Sequence, residues 1–117
     1  MKAELSTHAI FKALGIVNNW PIQNRGMVKL LDRLAETLEL TPEEQEVAQF
    51  RVIYGEDGTV RAYQYDASVH FERELDDGDA AQLKAMLGPN DNAHWTRQER
   101  EVFNEWMDAL GGEKWGE

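Results

Sequence analysis

A chain of 117 residues, 42% hydrophobic and 29% charged, is long enough for one core and too apolar to stay disordered, so a single domain is expected. The absence of cysteine excludes disulfides, thiolate nucleophiles, Cys-ligated zinc and iron–sulfur clusters. With no apolar run near the ~18 residues a membrane helix needs, and no export signal, a soluble cytoplasmic protein is expected. The net charge of −10 is concentrated in residues 41–79, where three basic residues stand against eleven acidic ones, a surface that repels phosphate backbones and argues against direct nucleic-acid binding.

From the amino terminus, Ile10, Phe11, Leu14 and Val17 recur at helical spacing behind Ser6 or Thr7 as a cap, predicting a helix over 6–17. Gly15 and the β-branched Ile16 and Val17 leave a strand open there. Asn18-Asn19-Trp20-Pro21 reads as a turn. The leucine stripe Met27, Leu30, Leu31, Leu34 and Leu38 predicts an amphipathic helix over 26–38. Thr41-Pro42-Glu43-Glu44 then combines a hydroxyl cap, proline at the first helical position and a glutamate three residues past the cap, which opens a short helix over 42–48.

At Phe50 the period changes from helical to alternating. Phe50 to Tyr54 and Val60 to Tyr65, joined through Gly55-Glu56-Asp57-Gly58, read as a hairpin. Val69, Phe71, Arg73 and Leu75 alternate with His70, Glu72 and Glu74, and are expected to add a third strand to a meander. Asp76-Asp77-Gly78-Asp79 opens a helix over 77–87 that Gly88-Pro89 stops. Thr96-Arg97-Gln98-Glu99 is a second capping box, opening a helix with the stripe Val102, Phe103, Trp106, Met107 and Leu110 and closed by Gly111-Gly112. The expected fold class is α+β: three to four helices packed on a small antiparallel three-stranded meander, one globular domain over 1–112 with a flexible tail over 113–117.

Candidate chemistry is sparse. His8, His70 and His94 lie in separate elements without the four-residue spacing that pairs ligands on a helix, and His70-Phe71-Glu72 reads as a solvated strand face. Asp76 to Asp79 resembles a calcium loop only superficially, since the position of its terminal glutamate holds Leu87; capping and helix-dipole charge account for it, and Asn90-Asp91-Asn92 reads as loop chemistry. No hydroxyl sits in a glycine-flanked elbow and no glycine-rich phosphate loop follows a strand, so no enzyme, no cofactor and no metal are expected. Of the four tryptophans, Trp106 belongs to a core stripe, and Trp20 and Trp95 are placed to seal the ends of the core. Trp20, Trp95 and Trp115 sit in a turn, at a helix start and in the tail, and an exposed one such as Trp95 would suit a binding face, because aromatic anchors ringed by charge are typical of protein interfaces.

The turn ending at Pro21, the glycine-led helix Gly26 to Leu38, the phrase Leu38-Glu39-Leu40-Thr41-Pro42-Glu43-Glu44, the small hairpin and the acidic junction from Phe71 to Leu87 together resemble a loose group of small uncharacterised phage and prophage proteins. The carboxy end departs from that group in Trp106, Trp115 and its glycine pair, and the group has no established activity to carry over. The resemblance implies an accessory protein that inhibits or modulates a nucleic-acid-handling protein through its acidic surface, or alternatively a self-associating structural protein of virion assembly. The expected protein-binding surface is Glu43, Glu44, Glu56, Asp57, Glu72, Glu74, Asp76, Asp77 and Asp79, with Trp95.

Overall fold

The computed structural model describes residues 1–88, 93 and 95–115. Its elements are β1 (Lys2–Ser6), α1 (Thr7–Asn18), α2 (Arg25–Leu38), α3 (Pro42–Val47), β2 (Arg51–Tyr54), β3 (Val60–Gln64), β4 (His70–Glu74), α4 (Asp77–Leu87), a 3₁₀ turn (Arg97–Glu99) and α5 (Arg100–Leu110). The class is α+β, with five helices among the described residues where three to four were expected.

The meander does not form. β4 pairs antiparallel with β1, at the other end of the chain, and β2 with β3 make a separate two-stranded sheet. Side-chain alternation explains the choice. In β1, Ala3 and Leu5 point inward between exposed Lys2 and Glu4; in β4, Phe71 and Arg73 point inward between exposed His70, Glu72 and Glu74. Joining these strands in the register Leu5↔Phe71 and Ala3↔Arg73 gives one buried and one wet face, as an antiparallel pair requires. Every residue of β3 is exposed, and among the described residues β3 pairs with β2 alone. The amino terminus is tied in as well: its ammonium donates to the Leu75 carbonyl at 2.5 Å, and the Leu75 amide donates to the Met1 carbonyl at 2.8 Å.

α1 is the central helix. Its inward side, Ala9, Ile10, Ala13, Ile16 and Val17, is buried, and α2, α4, α5 and β1 pack around it. The small residues let neighbouring helices approach closely, while Phe11 and Leu14 are half-buried on its flank. The leucine stripe of α2 delivers Leu31, Leu34 and Leu38 to the core, and Leu83, Met86, Leu87, Phe103, Trp106 and Met107 close it from α4 and α5. Trp106 is fully buried, and its indole N–H donates to the Ala9 carbonyl at 2.8 Å, so the largest core side chain carries no unpaired polar atom.

The predicted caps stand at the helix starts. Ser6 accepts from the Ala9 amide, and its own amide and hydroxyl donate to Glu105 at 2.9 and 3.0 Å, which fastens the β1–α1 junction to α5. Thr41 and Glu44 form the reciprocal capping box of α3. Asp76 accepts from the Asp79 amide at 2.7 Å to cap α4. The Glu99 carboxylate reaches back to the Thr96 amide at 2.9 Å. α5 ends on Gly111 at φ 73°, a left-handed angle that favours glycine.

The β2–β3 hairpin stands on an aromatic cluster. Phe11, Phe50, Tyr63 and Tyr65 meet with ring centroids 5.2 to 6.2 Å apart, and the Tyr65 hydroxyl lies 3.0 Å from His8 Nδ1. Burial, with a smaller contribution from the Glu99 charge, raises the Tyr65 phenol above its ordinary value.

Candidate functional site

The β1–β4 pairing creates a surface that neither strand shows alone. On its solvent face the register sets Lys2 opposite Glu74 and Glu4 opposite Glu72, with exposed His70 beyond. Directly opposed side chains on an antiparallel pair have Cβ atoms about 5 Å apart, and like charges there destabilise. The Glu4–Glu72 juxtaposition is therefore an unfavourable arrangement that folding tolerates on an exposed face. Sequence reading found Glu72 and Glu74 from the alternation; Glu4 was missed, because its place beside Glu72 depends on pairing between strands about seventy positions apart.

The other expected residues divide into two groups. Glu43, Glu56 and Asp77 are exposed. Glu44, Asp57, Asp76 and Asp79 make hydrogen bonds or ion pairs within the fold, Asp57 and Asp76 from exposed positions. Asp79 is only 5% exposed and binds Arg33 at 2.5 Å. Both Glu44 oxygens accept from Arg73 at 2.7 Å, and this hydrogen bonding is the leading cause of a Glu44 pKa held below the ordinary value of 4.5. Arg73 itself is buried on the inward face of β4 and donates also to the Glu72 and Glu39 carbonyls, so an internal cation is matched by carboxylate and backbone oxygen. Asp57 closes the hairpin loop by accepting from the Thr59 amide and hydroxyl, at 3.2 and 2.7 Å. Asp76 caps α4.

Trp95 is half-buried. Its indole N–H donates to the Leu87 carbonyl at 2.9 Å, its ring stands edge-on to Phe103 at 5.3 Å, and Lys12 Nζ lies 5.4 Å from the ring centroid. It packs against the core, as Trp20 does. Trp115 is bracketed by Asn104, which accepts from its amide at 2.7 Å and donates to its carbonyl at 3.3 Å.

Among the described residues, no three His, Cys, Asp or Glu side chains are grouped to hold a metal ion, and no helix is long and apolar enough to cross a membrane. His94 and the Asn90-Asp91-Asn92 stretch lie outside the described residues. No protein-family model, curated protein or solved structure matches the chain.

Proposed function

We propose that the chain is a non-enzymatic protein-binding module whose outer β1–β4 face, Glu4, Glu72 and Glu74, docks on a basic protein surface of the kind that nucleic-acid-handling proteins present. The observation that carries this reading is the direct opposition of Glu4 and Glu72 on an exposed strand pair. A cationic group from a partner placed between the two carboxylates would turn a repulsive pair into two attractive ones. The surrounding charge acts in the same direction, because the −8 of residues 41–79 steers a basic partner toward this side of the sequence before contact. An accessory protein of phage type, modulating its target by occupying a basic groove, is the biological setting this chemistry suits.

Affinity capture of the tagged protein from lysate, at low and at high salt, with mass spectrometry of what is retained, tests the reading. A basic nucleic-acid-handling protein that is held at low salt and released as screening shortens the electrostatic range supports it. Capture of apolar partners alone, indifferent to salt, would overturn it.

A further inference from the structure

After α5 the chain folds back along its own helix. Gly111 makes the reversal, and the Gly112 amide donates to the Met107 carbonyl at 2.9 Å. A Cβ on Gly112 would stand 2.5 Å from the sulfur of buried Met107, so the returning chain lies this close only because the residue is glycine. Lys114 then pairs with Asp108 at 2.7 Å. One turn further back, the side-chain amide of Asn104 takes both backbone groups of Trp115, accepting from its N–H at 2.7 Å and donating to its carbonyl at 3.3 Å. The Trp115 indole stands edge-on to the Phe103 ring, at 88° and 6.2 Å between centroids, and Trp95 meets the same ring at 77°.

An amide side chain bonded to the N–H and C=O of one residue holds that residue as a neighbouring strand would, and so recognises main chain of any sequence. Phe103 and Asp108 add the selectivity: an aromatic ring for the first, a cation one position before it for the second. We propose that Phe103, Asn104 and Asp108 form a docking site for a partner segment carrying Lys-Trp, and that residues 111–115 occupy it as an autoinhibitory strap. The ligand chemistry is read from the strap seated there. The strap is lightly held, since Trp115 stays 38% exposed and the Lys114–Asp108 pair is at the surface, where an ion pair adds little. A competing segment can therefore exchange with it. This site shares no residue with the Glu4, Glu72 and Glu74 face, so the two proposals stand or fall separately.

NMR titration of the full chain with an acetylated heptapeptide of the sequence of residues 111–117, in about 0.15 M salt, tests the site. A strap on so short a link competes at an effective concentration in the mM range, so Trp115→Ala, which weakens the strap, is expected to bind the peptide about tenfold more tightly than the wild type. The shifts should centre on the Asn104 side-chain amide and on Phe103, and should vanish when Asn104→Ala is added or when the peptide's tryptophan is replaced by alanine. Trp115 is exposed, and an unchanged thermal melt of each variant separates loss of the site from loss of the fold. Equal affinity for wild type and Trp115→Ala, no binding to Trp115→Ala, or equal binding of the peptide without tryptophan would overturn the proposal.

Discussion

Glu72 and Glu44 are both glutamates of the acidic segment, and their surroundings give them opposite roles. Glu72 faces Glu4 across the strand pair, so Glu72→Lys converts a repulsion into an attraction and is expected to stabilise the fold by about 0.5 kcal/mol at low salt, with the gain shrinking as salt is added. Glu74→Lys places an ammonium opposite Lys2 and should destabilise by a similar amount; denaturant melts of the two variants check both signs. Glu44 is committed inward. Its folded pKa lies below the unfolded value, so the stability it contributes is complete above pH 4.5 and is lost as pH falls through the depressed folded value. Glu44→Gln should therefore lower stability at neutral pH by about 2–3 kcal/mol, because buried Arg73 loses its counter-charge, and should flatten the acid limb of the stability profile measured by denaturant unfolding. None of this is visible in the residues themselves. Which carboxylate is free and which is engaged depends on Arg33, Arg73 and Lys2, each brought in from a different element.

At the scale of the elements, local signals carried far. The helices over 25–38, 42–47 and 77–87 begin and end within a residue of where stripes, capping boxes and glycine stops put them, because those signals act over four or five residues and no distant contact overrides them. Leu34, fully buried, anchors the α2 stripe, and Leu34→Ala is expected to cost about 3 kcal/mol in thermal or denaturant melts; a near-neutral result would deny that the stripe is core. β1 escaped notice for a physical reason. Five residues at the start of the chain, Lys-Ala-Glu-Leu-Ser, run directly into the cap of α1 and contain no β-branched or aromatic residue to mark a strand. The alternation of β4 was readable and its inward and outward faces came out as expected, but alternation names a face and not a neighbour. The neighbour was decided by the apolar side of β1, some seventy positions away.

Across the whole molecule, one chain divides its acidic residues between holding the fold and facing solvent. Carboxylates that cap helices, close the hairpin loop or meet Arg33 and Arg73 stabilise it; Glu4, Glu72 and Glu74 lie on the exposed β1–β4 face, Glu4 opposite Glu72 and Glu74 opposite Lys2. The proposed docking face follows from that division, and Glu72→Lys tests it most directly, since the same substitution is expected to make the protein more stable and a worse binder. Capture from lysate at low salt should retain the basic partner with the wild type and lose it with Glu72→Lys, a loss that unfolding cannot explain in a variant that melts no lower. Equal retention by both proteins would contradict the assignment of the β1–β4 face as the binding surface.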